Sequence, residues 1–402
     1  MFRCIPLVIG FCVTLHVASA QTERGIIDAA DFESLQTAID AVPETGGIVR
    51  LPPGRFEITK PLLLSVGETR IEGSGASTHI VNQNTNGEPA FIIRSRDKIK
   101  NKRARLWRVQ LGNFRISGNT NSGDGILADG INELFIQGMS IDHNGGHGIN
   151  LVDCYEDPRV SDSILTYNAR AGLNIVGGHD IVVNANHFEE NQDAVRCIDS
   201  YNLCMNGNNV DDHLRHGVVI ENTYGSVISG NMIEECDGVG IILDRDCYGI
   251  TLSANVIAHH QGGGIQLLDA WGCTVSANTF VLVRSNALLV SSNSGHITIT
   301  GNNFSNSYIG DGKTKRPVEH PKPIQRDDAT GILLQNSTDI VISGNQFSGL
   351  LTPAITSEGE SKRLLISGNV IADCGRGQEN PQPLSLGNPS ASIIKDNLIS
   401  ND

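Results

Sequence analysis

The feature that most constrains this chain is an internal repeat with a nearly fixed step. A phrase of the type G-I-x-L begins at Gly125, Gly148, Gly172, Ala194, Gly217, Gly240, Gly264, Ala287, Gly331 and Ala354, in steps of 22–24 residues with one of 44. A second phrase, I-S-G-N-x-F, places its asparagine at Asn186, Asn208, Asn231, Asn255, Asn278, Asn302, Asn345, Asn369 and Asn397, and the two phrases advance together. Met139 and Ser163 hold that asparagine position in two earlier units. A joint step of this kind means one small unit stacked many times. Each unit is β-branched, rich in Gly and Asn, and alternates with period two, as in GIILD (240–244) and TVSANTF (274–280). No unit holds a helix-length amphipathic run. The L-x-x-L-x-L pattern of leucine-rich repeats is absent, and propeller blades need about forty residues. The expectation is an all-β solenoid, with three short parallel strands per coil. Asparagine suits its turns, because it tolerates left-handed backbone and its amide can bond the same amide one coil away.

A solenoid has open ends that need covering. Phe32, Leu35, Ile39 and Val42 fall on one face of a helix that Asp31 could cap, so an N-terminal helical cap is expected. Residues 1–20 read as a signal peptide: Arg3, an apolar run from Ile5 to Val17, then Ala18-Ser19-Ala20. Secretion or a periplasmic location follows as an expectation, with no later stretch apolar enough to span a bilayer. Without that segment seven of the nine cysteines remain, an odd and scattered set with no CxxC pair. That argues against a disulfide framework or a closed zinc site, and for buried thiols. The organisation expected is residues 1–20 as signal, 21–90 as cap and first strands, and 91–402 as β-helix with an inserted loop near 306–330. The net charge of -14 argues against a nucleic-acid partner.

The segment FESLQTAIDAVPETGGIVRLPPGRFEI (32–58), followed by TRIEGSGASTHI (69–80), resembles the N-terminal entry of the pectin-lyase-like superfamily. The resemblance implies a single-stranded right-handed parallel β-helix with its helical cap. It also implies a carbohydrate-active protein, since that superfamily holds mostly polysaccharide lyases, hydrolases and uronate epimerases. It specifies fold more than reaction.

With the repeats in register, equivalent positions become neighbours one coil apart. Counted from the Gly of G-I-x-L, the outward second position reads Asn150, Asn174, Arg196, Val219, Ile242 and Gln266. The fourth adds Glu221 and Asp244, and the position before the Gly reads Asp124, His147, Ala171, Asp193 and His216. Arg170 and Arg215 stand one place earlier. A second column is acidic: Glu189, Asp211 and Glu234, followed by Glu190, Asp212 and Glu235. Like charges stacked at coil spacing repel, so a calcium site at Glu190, Asp212 and Glu235 is one reading and a solvated turn the other. His213, Cys236 and His260 also share a column, which would suit a transition metal only if they converged. A third column is aromatic: Tyr155, Tyr201, Tyr224, Tyr248 and Trp271, with His179 interposed. Such rings either carry apolar sugar faces or simply stack on one another. Residues 94–108 hold eight Lys/Arg, and the insertion adds Lys313, Lys315, Arg316, Lys322 and Arg326. These suit an anionic polysaccharide, either a polyuronate or a sulfated glycan.

Lysis or epimerisation of a polyuronate requires a neutralised carboxylate and a base that takes the adjacent proton. Arg196, His216, His147 and Asp193 are the candidate catalytic residues. Asn150, Asn174, Glu221, Asp244, Tyr201, Tyr224, Tyr248 and Trp271 are the candidate substrate-binding ones. Polygalacturonases, in the same superfamily, show N-x-D, D-D, H-G and R-x-K. Asn191-Gln-Asp193, Asp211-Asp212 and His216-Gly217 imitate the first three, but no R-x-K follows. Three functions stay open: a lyase or epimerase, a non-catalytic glycan-binding or surface-assembly protein, and a hydrolase. Calcium is the one cofactor expected, and a monomer the expected state.

Overall fold

The computed structural model describes residues 25–306, 329–387 and 389–400. Residues 1–20, expected to be a signal peptide, and the basic residues of the insertion lie outside these.

One coil shows how the sequence makes the fold. Asp193–Ile198 runs along one sheet, the chain turns into Cys204–Asn206, and turns again into Asn209–Asp211. The next coil repeats this as His216–Glu221, Val227–Ser229 and Met232–Glu234. Val195, Met205 and Val210 pair in parallel with Val218, Ile228 and Ile233, each one repeat on. All six side chains are buried, as are their counterparts along the stack except towards its ends, where Ile394 and Ile399 are exposed. The result is three parallel sheets of 13, 14 and 17 strands around a single apolar core. Phe280, Phe304 and Phe347 stack inside it at ring distances of 4.5 and 4.8 Å.

The corners explain the asparagines. Asn231 Nδ2 donates to Asn255 Oδ1 at 2.9 Å, and that same oxygen accepts the Asn231 backbone N–H at 3.0 Å. This device runs from Asn186 to Asn397, and it crosses the insertion directly from Asn302 to Asn345. Buried polar groups at the corner are thereby paired coil by coil. The next corner carries left-handed backbone once per coil, at Tyr167, Glu190, Asp212, Glu235 and His259 (φ 48 to 61°).

Parallel pairing begins at Ile26–Asp28 on Gly47–Arg50, so residues 25–90 already carry coils as well as the cap. The cap helix is Leu35–Asp40, shorter than the sequence suggests. Its N-cap is Ser34 rather than Asp31: Ser34 and Thr37 satisfy each other's backbone N–H groups, while Asp31 closes a separate 3-10 turn. Leu35, Ile39 and Val42 are buried as expected, and Phe32 packs against the core. Of the seven described cysteines, all unpaired, only Cys204 is exposed.

Candidate functional site

Asp193 begins its strand with no exposed side-chain surface, yet it carries charge. Burial alone would raise its carboxyl. Arg215 Nε at 2.8 Å and Nη2, the His216 backbone N–H at 3.1 Å and Arg196 Nη1 at 3.3 Å hold it below the usual carboxylate range instead. Arg196 lies between Asn174 and Val219 in the ladder and also reaches Glu221 Oε2 at 3.4 Å. Arg245 joins the same oxygen at 3.5 Å. The buried aspartate is thus the anchor of an ionic cluster on the outer face of the sheet.

His216 sits beside this cluster in a fixed tautomer. Its Nδ1 accepts the Val239 backbone N–H at 3.1 Å, so a neutral ring must carry its proton on Nε2. Burial lowers its pKa, and Arg215 and Arg196 add to this against the pull of Asp193. Three coils upstream the arrangement recurs. The His147 backbone N–H donates to Asp124 at 2.7 Å, and His147 Nδ1 accepts the Ala171 N–H at 3.1 Å. Burial lowers this pKa too, Asp124 opposes, and the nearby charges of Arg170 and Arg196 lower it further. Asn150 Nδ2 donates to Asp124 at 2.9 Å, and Asn174 Nδ2 to Asn150 Oδ1 at 3.0 Å.

The structure therefore brings Arg196, His216, Asp193 and Glu221 together, and places His147, Asn150 and Asn174 on adjoining coils of the same face. Asp244 lies farther along, its Oδ1 accepting the Arg245 N–H at 2.8 Å. Arg215 and Arg245 are the members that sequence reasoning left without a role. Their column positions were readable, but not their reach to a carboxylate one coil away. Beyond Arg196 the outer face turns apolar, with Val219, Val239 and Ile242 packed against Leu268.

On the acidic corner, Asp211, Asp212 and Glu235 place carboxylate oxygens within 4.8 Å of one another. Glu190, expected as the third member, is not in this group. Asp212 turns at φ 52° directly after Asp211, so two consecutive carboxylates share the corner. Burial, then Asp211 and Glu235, push the Asp212 pKa up to about 6, and Asp211 and Glu234 are also raised. His259 Nδ1 lies 3.5 Å from Glu235.

The buried column His213, Cys236 and His260 continues an inner asparagine ladder, Asn144–Asn168–Asn191, that sequence reasoning missed. Both ring nitrogens of His260 are engaged, by the Cys236 N–H and the Ile233 carbonyl. Among the described residues this column forms no group that could hold a metal.

The aromatic column stands around the corner from Arg196, beyond inward-facing Ser200. Ring distances run 5.8 Å for His179–Tyr201, 5.3 Å for Tyr201–Tyr224 and 4.2 Å for Tyr224–Tyr248. Trp271 pairs with Tyr248 through the backbone. In the basic segment, Lys98 lies 3.0 Å from Asp129, Arg105 covers the Tyr155 ring, and Arg108 binds Glu68. Among the described residues no helix is long and apolar enough to cross a membrane.

The sequence profile of the family described as "Periplasmic copper-binding protein (NosD)" matches residues 159–315, and that of "Right handed beta helix region" matches residues 66–201. No curated protein sequence matches this chain. Among solved structures, the A-module of the mannuronan C-5 epimerase AlgE4 from Azotobacter vinelandii is similar, with 16% identity, a TM-score of 0.57, and coverage of 93% of this chain and 100% of that one. DFA-IIIase from Arthrobacter chlorophenolicus A6 in complex with GF2 shares 14% identity at a TM-score of 0.53, covering 87% of this chain and 94% of that one. The Dettilon tailspike protein shares 14% at 0.52, covering 96% and 70%. At these identities the likeness is one of fold. Three stacked parallel sheets, an unbroken asparagine ladder and two β-helix family matches make this chain a right-handed parallel β-helix protein of the pectin-lyase-like superfamily.

Proposed function

We propose that this protein is exported and carbohydrate-active, that it binds an anionic polysaccharide along the outer face around Arg196, and that it removes the proton beside a uronate carboxylate. The observation that carries this reading is buried, ionised Asp193, which holds Arg196 and Arg215 while His216 stands beside them as a locked donor. Arg196 and the Nε2–H of His216 would meet the sugar carboxylate, whose neutralisation acidifies the neighbouring C–H, while His147, three coils upstream, would meet another unit of the polymer. The Nδ1 lone pairs of both histidines are already used, so they serve as donors and not as bases. Glu221 engages Arg196 and Arg245 through Oε2, which leaves Oε1 to accept the proton. Loss of the leaving oxygen then gives β-elimination, and return of a proton from the other face gives epimerisation. Likeness in fold to a mannuronan C-5 epimerase supports the substrate class.

Calcium is proposed at Asp211, Asp212 and Glu235, with Glu190 close by. Three mutually repelling carboxylates are hard donors that a divalent cation would relieve. That oxygen set does not suit copper. A second reading, glycan binding without turnover, is favoured by the donor-only state of both histidines. The hydrolase reading loses support, because Asn191 is spent in the buried ladder and Asp193 in its two guanidinium partners. Incubation of the purified protein with polymannuronate, polyguluronate and polygalacturonate separates the readings. Unsaturated-product absorbance reports elimination, proton NMR reports epimerisation, and binding without either supports the second reading.

A further inference from the structure

The aromatic column divides at Tyr224, and its two halves differ in what borders the rings. Upstream, Tyr155, His179 and Tyr201 are each followed by a left-handed residue with a side chain: Glu156, Asp180 and Asn202. Asn202 Nδ2 donates to Asp180 at 3.0 Å, and the Arg105 guanidinium lies over Tyr155 at 5.4 Å. Those surfaces are occupied by the protein itself. Downstream, Tyr224, Tyr248 and Trp271 are followed at the same turn position by Gly225, Gly249 and Gly272, at φ 57, 64 and 60°. The left-handed turn does not require glycine, because Asn and Asp make it upstream. What glycine adds is space: nothing lies within 4 Å of a Cβ built on Gly272. Tyr248, Trp271 and His296 line an open recess with Gly249 and Gly272 as its floor. Tyr248 is 50% and Trp271 37% exposed, and Trp271 and His296 lie 5.5 Å apart.

We infer that this recess is a second saccharide-binding site, distinct from the Asp193–Arg196 face, and that it takes the ring face of a neutral oligosaccharide. Aromatic rings repeat there once per coil: Tyr224 and Tyr248 stack on each other, and the partly exposed Tyr248 and Trp271 still offer apolar ring surface to solvent. On the rim, Asp246 acts on Tyr224 and Asp269 Oδ2 accepts the Asp246 N–H at 2.9 Å, whereas Asp339, 3.5 Å from His296, has its charge taken up by Arg363. The Asp246 and Asp269 carboxylates, each two residues before a ring, can accept sugar hydroxyls and disfavour a carboxylated ring. The occupant is therefore a neutral sugar, in contrast to the face around Arg196.

The test uses Trp271 emission in a Trp107→Phe background, since the chain has two tryptophans. Cellohexaose, mannohexaose, xylohexaose and a mannuronate hexamer are titrated. At least one neutral hexaose should change the emission saturably, more tightly than the mannuronate hexamer at low salt. Arg196→Ala should leave the midpoint unchanged, so this site can fail or hold independently of the proposed reaction. Gly272→Asn, which keeps the left-handed turn but fills the recess, should weaken binding roughly tenfold, as should Tyr248→Ala. Unchanged thermal melting shows that these variants fold. No response to any neutral hexaose, tighter binding of the uronate, or an unchanged midpoint in folded Gly272→Asn would each overturn the inference.

Discussion

Replacing Asn231 by alanine tests the stacking account at one side chain. Asn231 is 2% exposed in the middle of the ladder. Its Oδ1 accepts the Asn208 N–H at 3.0 Å and Asn208 Nδ2 at 2.9 Å, and its Nδ2 donates to the Met205 carbonyl at 3.2 Å and Asn255 Oδ1 at 2.9 Å. Alanine removes all four. Asn208 Nδ2 keeps Val183 and Asn206, and Asn255 Oδ1 keeps the residue 231 N–H. The Asn208 N–H loses its side-chain acceptor and the Met205 carbonyl its side-chain donor. The Asn208 N–H left unsatisfied costs about 1–3 kcal/mol, and with a small cavity and the lost second bond to the Met205 carbonyl, which stays in the sheet ladder, the total is roughly 2–4 kcal/mol. Half-buried Asn397, in the last described coil, accepts from Asn369 and donates to the Ile366 carbonyl, and because water reaches these groups Asn397→Ala should cost roughly 1–2 kcal/mol. Urea unfolding followed by circular dichroism gives the two costs. Hydrogen exchange should show the Asn208 amide losing protection in Asn231→Ala. A cost below about 1 kcal/mol, or equal effects at both positions, would refute the claim that the ladder holds the coils in register.

Other outcomes follow from the charged groups. Asp193→Asn should destabilise by roughly 3 kcal/mol at pH 7. Because the native carboxyl is held below its ordinary value of 3.8, its stabilisation is present above that range and lost as pH falls through the native value, so the gap between variant and wild type should close in acid. Asp212 is the opposite case. Its pKa is raised to about 6, so stability is lost as pH rises through 6, and Asp212→Asn should be more stable than wild type at pH 8 and equal to it near pH 4. Exposure keeps this difference to about 1 kcal/mol or less. Calcium should raise the melting temperature of wild type at pH 8 and not that of Asp212→Asn, and an absent shift in both rules out the cation site.

The fold was legible because its device uses one residue per coil. Asn208, Asn231, Asn255 and Asn278 stack as neighbours, and the spacing that reveals them is the spacing that builds the sheet. The inner ladder was harder to see, since Asn144, Asn168 and Asn191 give way to His213, Cys236 and His260, different chemistry in one structural place. The helix boundary was missed because Ser34 and Thr37 form a capping box that outcompetes Asp31. At the site, register showed which residues share a face. It could not show that Arg215 reaches back to Asp193, or that a backbone N–H from the following coil fixes each histidine. Both depend on side-chain rotamers and on contacts between coils, which a column of letters does not carry. Glu190 was grouped with Asp212 and Glu235 by the same column logic. Consecutive Asp211 and Asp212 converge with Glu235 instead, because the left-handed turn folds the second carboxylate back beside the first.

The most direct measurement of the central claim compares wild type, Arg196→Ala and Glu221→Gln on polymannuronate, polyguluronate and polygalacturonate, with product followed by absorbance and proton NMR. Wild type should form unsaturated ends or inverted residues on at least one polymer. Glu221→Gln should retain wild-type melting and Arg196→Ala should stay folded at a lower melting temperature, since Arg215 and the His216 N–H still hold Asp193, while both lose at least about tenfold in turnover, as expected when a charge-stabilising or proton-accepting group is removed. Wild-type turnover in a folded Arg196→Ala/Glu221→Gln double variant would contradict the assignment. Binding of these polymers by wild type with neither product would give this face to recognition without chemistry.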